Sequence, residues 1–177
     1  MCIRDRGFNA QAVVDHDSHL VVGKHVSQAT NDKQEVEPAL NELEKVEDTL
    51  GKPEGLVADA GYHSKENVEK CVEQGIEPYI AGSREGHNQP LEERMKTAPE
   101  CPAEADAVTA MQHRLQTAEG KAIYGKRKAT VETVFGVIKE VLGFRRFHLR
   151  GLRGAEGEWS LVCTAWNLKR LYVLVGG

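Results

Sequence analysis

Hydrophobic positions follow a strand-like pattern near the start of the chain and then change to helical spacing. Residues 9–14 and 19–24 are short valine-rich segments, separated by the polar residues 15–18, and they predict two strands joined by a turn. Asp32 followed by Glu35 has the form of a capping box. The next apolar residues recur at helical spacing and predict a helix that ends at Gly51: Val36, Leu40, Leu43, Val46 and Leu50.

The remainder of the chain alternates short apolar runs with helical patterns. A run that ends at Asp59 predicts a buried strand, and Ser64 then begins a helix that ends near Gly75. Residues 77–81 predict another strand, whereas residues 82–102 are polar and predict a loop insertion. Helices are predicted at 106–117, 126–142 and 155–173, and the last should be largely buried because its apolar residues fall on several faces. This order predicts an α/β fold.

Composition limits the classes of protein that this chain can represent. Its 177 residues are enough for one domain with a core, and no apolar run approaches the roughly 20 residues that span a bilayer. The four cysteines are scattered without a CxxC pair, which favours reduced thiols over a disulfide framework or a zinc site.

Charge is distributed unevenly along the chain. The net charge is −4, but residues 121–177 hold eleven Lys and Arg against four Asp and Glu, so this third carries +7 and the rest −11. Arg145, Arg146 and Arg150 cluster there beside Phe144 and Phe147. We expect the arginines to bind a phosphate backbone and the phenylalanines to belong to the core.

Two carboxylates stand out by their surroundings. Glu132 is the only acidic residue in a basic and apolar stretch, and helical spacing would place it on one stripe with Lys128 and Phe135. Asp59 follows a strand, at the edge where open α/β sheets place catalytic groups. The alternatives are an ordinary surface glutamate and an aspartate that caps a turn.

Two motifs in this order carry a resemblance to a known family. The first is Ala58-Asp59-Ala60-Gly61-Tyr62, and the second combines Tyr124, Arg127, Glu132 and Lys139. They resemble the DDE transposases of bacterial insertion sequences, of the IS4-like type, and residues 7–15, 31–34 and 157–170 extend the similarity. Arg127 is one residue further from Glu132 than the usual three-residue gap, and Lys128 would fill that register.

The resemblance implies a fold, a partner and a metal. It implies an RNase H-like core that lacks its first strand, in which residues 1–6 are a foreign or truncated lead-in and residues 7–177 are the C-terminal part of the catalytic domain. Relatives act on double-stranded DNA in the bacterial cytoplasm, at the nucleoid, and pair as homodimers. Asp59 and Glu132 would be the second and third ligands of two Mg²⁺ or Mn²⁺ ions, and Tyr124, Arg127 and Lys139 would contact phosphate.

Asp15 is the weaker candidate for the first catalytic aspartate. It ends a strand, but the matching aspartate of relatives lies on the second strand, so a turn role is favoured. The implied activity of the full-length protein is transposition by metal-dependent DNA cleavage and strand transfer. For this chain a non-catalytic DNA-binding remnant and an RNase H-like nuclease remain open as alternatives.

Overall fold

The computed structural model describes residues 3–5, 7–82, 102 and 104–176, which form a mixed α/β structure with small sheets. Two compact units divide the chain. The first unit comprises Met1–Lys52 and Lys126–Gly177, and the second comprises Pro53–Gly125. Most of the predicted loop at 82–102 lies outside the described residues.

The first unit contains an antiparallel sheet of three strands, β1 (Ile3–Asp5), β2 (Phe8–Val14) and β3 (Val21–Ser27), with β2 in the middle. The two valine-rich strands and their polar turn are therefore confirmed. Within residues 1–6, the segment Ile3–Asp5 pairs with β2 from Ile3 opposite Ala10 to Asp5 opposite Phe8, and the interpretation of residues 1–6 as a foreign or truncated lead-in stays a prediction. Backbone pairing needs no particular side chains, and composition gave no sign of it.

The helix after β3 begins differently from the capping-box prediction. The side chain of Asn31 accepts the amide of Lys33 at 3.0 Å and caps a short 3₁₀ turn, Asp32–Gln34. The helices α1 (Val36–Glu44) and α2 (Glu47–Leu50) follow, so the predicted single helix is broken. Glu35 precedes α1, but its side chain makes no capping hydrogen bond: it is buried to 1 % exposure and accepts hydrogen bonds from Ser27 Oγ at 2.5 Å and His25 Nε2 at 2.6 Å.

The core of the first unit lies between the sheet and the C-terminal helices. Its buried side chains come from β2, β3, α6 (Thr133–Glu140), α7 (Leu152–Leu174) and the segment between these helices. Trp159 and Trp166 are buried on α7, and each indole nitrogen donates to a carbonyl, of Gln11 and His19 respectively, at 2.8 Å.

The prediction that α7 is largely buried is wrong. Only one stripe of the helix faces the core, through Ala155, Trp159, Cys163 and Trp166. The opposite stripe is open, with Leu161 73 % and Leu168 64 % exposed. One layer of sheet covers one face of a helix, so apolar residues elsewhere on its circumference stay in water.

The second unit is a pair of parallel strands covered by helices. The strands are β4 (Gly55–Ala58) and β5 (Glu77–Ile80), and the helices are α3 (Lys65–Glu73) and α4 (Ala107–Gln116). Ser64 and Asp106 cap the two helices through the amides of Asn67 and Thr109, as local sequence predicts. The strand β4 is half-buried rather than buried, because the described residues pair it on one side only, with β5.

The two cysteines in the described part of the chain are core residues. Cys71 and Cys163 are free and buried, and burial raises the pKa of their thiols to about 11 and about 12. Both thiols are therefore protonated at neutral pH and act as core residues.

Candidate functional site

Asp59 follows β4 directly and begins a turn, as the sequence predicted. Its Oδ1 accepts the amide of Ala60 at 2.7 Å, and its carbonyl accepts the amide of Tyr62 at 3.0 Å, which winds residues 60–62 into one 3₁₀ turn. The side chain of Asn67 donates to the Tyr62 carbonyl at 2.7 Å, so α3 also holds the turn. Asp59 is exposed. The turn therefore presents a carboxylate to solvent from a fixed position at the carboxyl end of a strand.

Glu132 lies in a widened turn of a long helical segment. The helix α5 (Ala118–Arg127) starts before the predicted residue 126, continues through a π turn at Lys128–Glu132 and then into α6. Glu132 and Lys128 are exposed, whereas Phe135 is fully buried. The predicted single stripe of Lys128, Glu132 and Phe135 is thus wrong, because Phe135 faces the core while the two charged residues face solvent.

The widened turn changes which residues share a helical face with Glu132. Backbone bonds in a π turn connect residues five apart, so the π turn brings residues five apart toward one face. Arg127 and Glu132 are five apart, whereas an ordinary helix would have brought Lys128 into line with Glu132. π turns are rare and are frequent at functional sites.

Asp15 is engaged in the turn between β2 and β3. Its Oδ2 accepts the Ser18 amide at 2.8 Å and the Ser18 hydroxyl at 2.6 Å. Burial raises the pKa of the Asp15 carboxyl, but the Ser18 hydrogen bonds outweigh this effect and hold the pKa below its ordinary value. The favoured turn role of Asp15 is what this geometry supports, and its role as a metal ligand stays a prediction.

The next residue, His16, contacts the segment that carries Glu132. Its Nδ1 lies 2.9 Å from Oγ1 of Thr130, a buried residue within the π turn. The Asp15 turn and the Glu132 turn are therefore joined inside the first unit. Sequence analysis missed both His16 and Thr130, because their contact joins residues 114 positions apart.

The basic side chains expected near Glu132 have different environments. Tyr124 and Arg127 are half-buried, and Lys128 is exposed. Lys139 is half-buried, with its Nζ 6.0 Å from the centre of the Phe135 ring, at the outer limit of a cation–π contact. Arg127 and Lys139 are thus partly buried cations on the helical segment that carries Glu132, and the Nε of Arg127 is buried.

The arginine loop, residues 143–151 between α6 and α7, presents the predicted arginines. Arg145, Arg146 and Arg150 are exposed, and Arg145 pairs with Glu140. Phe147 is fully buried, and its ring lies 5.9 Å from Phe8 and 5.4 Å from Phe144, so the phenylalanines belong to the core as expected.

Glu158 on α7 holds the same loop from the other side. Its carboxylate accepts the amides of His148 at 2.8 Å and Leu149 at 2.9 Å. No local signal in the sequence pointed to Glu158. The loop therefore offers exposed guanidinium groups on a backbone that is anchored at its centre.

Asp59 and Glu132 have the kind of ligand atom that the metal implied by the resemblance prefers. Carboxylate oxygens suit Mg²⁺ or Mn²⁺, and both Asp59 and Glu132 reach solvent. In the described part of the chain, no three His, Cys, Asp or Glu side chains form a group that could hold a metal ion. That Asp59, in the second unit, and Glu132, in the first, share a metal stays a prediction.

Comparison with known proteins gives the family. Within the described ranges, no helix is long and apolar enough to cross a membrane. Comparisons with curated proteins and with solved structures gave no significant match. A family model described as "Transposase DDE domain" matches residues 4–168, most of the 177-residue chain. The match includes both motif segments and the arginine loop, and the chain therefore belongs to the transposase DDE domain family.

Proposed function

We propose that this chain carries the C-terminal part of an RNase H-like catalytic domain of an IS4-like insertion-sequence transposase. In the complete protein this domain would cleave DNA and join the cut end to a target. The family match over residues 4–168 carries the proposal. It is supported by Glu132, an exposed carboxylate in a π turn that follows a basic helical segment.

Asp59 and Glu132 are proposed as metal ligands because their oxygens suit hard divalent cations and both reach solvent. A bound Mg²⁺ or Mn²⁺ would supply Lewis-acid activation of the attacking oxygen and stabilise charge on the leaving oxygen. Asp15 remains the weaker candidate for a first aspartate, since Ser18 already occupies its Oδ2.

The cationic side chains are proposed to orient the DNA backbone. Arg127, Lys128 and Lys139 come from the helical segment that carries Glu132, and Tyr124 precedes them on α5. Arg145, Arg146 and Arg150 would hold phosphates further along the same duplex from the arginine loop. Guanidinium groups bind phosphate with two parallel hydrogen bonds, which fixes the register of the backbone.

The proposal is tested by Mn²⁺-dependent nicking of supercoiled plasmid. Asp59→Asn and Glu132→Gln should abolish nicking, because each removes an anionic ligand and changes shape little. The exposed residues Asp48 and Glu156 provide matched controls, as Asp48→Asn and Glu156→Gln, and these variants should nick like the parent chain. Nicking that survives Glu132→Gln would refute the assignment.

A DNA-binding role without catalysis is the second candidate, and the exposed arginines of the arginine loop favour it independently of the carboxylates. In that case the parent chain would shift plasmid on a gel at low salt but would not nick it. A nuclease without strand transfer is distinguished by supplying a labelled 3′-hydroxyl DNA end, which a transposase joins to the plasmid. Pairing of two chains stays a prediction, which sedimentation of the DNA complex would test.

A further inference from the structure

Thr130 is buried in the π turn, and the hydrogen of its hydroxyl group is already used in a hydrogen bond. Only 4 % of the residue is exposed, and Oγ1 donates to the carbonyl of Lys126, four residues earlier, at 3.0 Å. A hydroxyl has one hydrogen, so the same oxygen must act as the acceptor toward His16. The contact at 2.9 Å is therefore a hydrogen bond from the Nδ1–H of His16.

This direction makes the contact independent of the protonation state of the ring. Nδ1 carries a hydrogen both in the required neutral tautomer and in the imidazolium form, so His16 donates in either state. The backbone of His16 is held as well, because the Asp15 amide donates to Leu20 at 2.9 Å and Ser18 is bonded to the Asp15 carboxylate. The hydrogen-bonded turn that contains His16 thus contacts Thr130, a buried residue of the π turn.

A π turn is rarer in a helical segment than an α-helical turn. If residues 128–132 relaxed to an α-helix, each residue would advance by about 100°, and residues five apart would point about 140° from each other. Arg127 would then turn away from the side of Glu132. A contact that stabilises the π turn would therefore also determine whether the side chains of Arg127 and Glu132 point to the same side of the helix.

We propose that His16 is a positioning residue that acts through Thr130: it keeps the π turn wound and thereby keeps Arg127 on the side of Glu132. The effect on the π turn is a property of the fold alone. Its consequence for DNA cleavage rests on the proposed function, in which Arg127 binds phosphate beside a metal-bound Glu132.

The test uses two pairs of variants in the full chain. His16→Leu and Thr130→Val remove the donor and the acceptor respectively. His16→Asn keeps a nitrogen donor near the position of Nδ1, and Thr130→Ser keeps the hydroxyl. Hydrogen exchange by mass spectrometry should show faster exchange of residues 126–133, by about tenfold, in the first pair.

The second pair should exchange within about twofold of the parent, and α3 in the second unit serves as an internal reference in every sample. Equal exchange of residues 126–133 in all four variants and the parent would overturn the proposal. Faster exchange in His16→Asn and Thr130→Ser as well would also overturn it, because bulk rather than the hydrogen bond would then hold the turn.

Plasmid nicking separates this inference from the proposed function. If the parent nicks DNA, His16→Leu should slow nicking by about tenfold and change gel-shift affinity much less, because the phosphate contacts proposed for the arginine loop are intact. An unchanged nicking rate would refute the role in positioning. If the parent does not nick, the proposed function fails, but the exchange result still decides whether His16 holds the π turn.

Discussion

Glu35 offers the sharpest test of how the first unit is held together. The sequence suggests a helix-capping glutamate, whereas the structure buries it between β3 and α1 with two donors, Ser27 Oγ and His25 Nε2. Replacement by leucine keeps a similar volume but leaves both donors without the carboxylate. These two environments predict different costs for the same substitution.

The magnitude follows from burial. Glu35 is 1 % and the His25 side chain 13 % exposed, so water screens and replaces little of the lost interaction. Leaving a buried hydrogen-bonding group without its partner costs about 1–3 kcal/mol, and Glu35→Leu does this to two groups, so we expect a cost of about 2–6 kcal/mol. Loss of a capping interaction would cost only about 1 kcal/mol. Against a typical total stability of about 5–15 kcal/mol, Glu35→Leu should lower the urea midpoint by a large fraction.

Tryptophan fluorescence is a suitable assay because both tryptophans, Trp159 and Trp166, belong to the first unit and are buried there. Glu44→Leu, at the exposed end of α1, the helix that follows Glu35, is the matched control and should change stability by less than about 0.5 kcal/mol. A loss of about 1 kcal/mol or less for Glu35→Leu would refute the importance of this buried group.

Three further outcomes are expected. Because the pKa of Asp15 is lower in the folded protein than its ordinary value of 3.8, this carboxylate stabilises the fold at neutral pH, and the stabilisation is lost as the pH falls below 3.8 toward the folded pKa. In a plot of the urea midpoint against pH, Asp15→Asn should flatten this acidic part, whereas the control Asp17→Asn should leave it as in the parent. Replacing Arg145, Arg146 and Arg150 together with glutamine should reduce the slope of log affinity against log salt by about 2–3, and an unchanged slope would exclude the arginine loop as a DNA contact. Trp159→Phe removes the donor to the Gln11 carbonyl and should cost at least about 1–3 kcal/mol in the same unfolding assay, read through Trp166.

Local signals predicted the parts of this fold that depend on near neighbours in sequence. The sequence predicted that helices start at Ser64 and Asp106 and that residues 15–18 form a polar turn after β2. Each of these features depends on a hydrogen bond between residues only three apart in the sequence. Asp59 was likewise placed correctly at the end of a strand, since a short apolar run followed by glycine has few other outcomes.

Features that depend on distant partners were missed or misread. Glu35 follows Asp32 at capping-box spacing, yet the partners of its side chain, His25 and Ser27, lie on β3. The apolar content of α7 could not reveal which stripe is covered, because coverage depends on how many layers pack around the helix. Nothing local distinguishes the π turn at Lys128–Glu132 from an ordinary helix.

The π turn also bears on how sequences of different length can be compared. It holds one residue more than an α turn, so an insertion of one residue is absorbed locally and the core residues after it keep their places. A relative with three residues between its arginine and glutamate would bring the two side chains to one face through an unbroken α-helix. An alignment without a gap would place the arginine of such a relative opposite Lys128. An alignment guided by helix geometry would place a one-residue gap in the turn, and the arginine would then lie opposite Arg127.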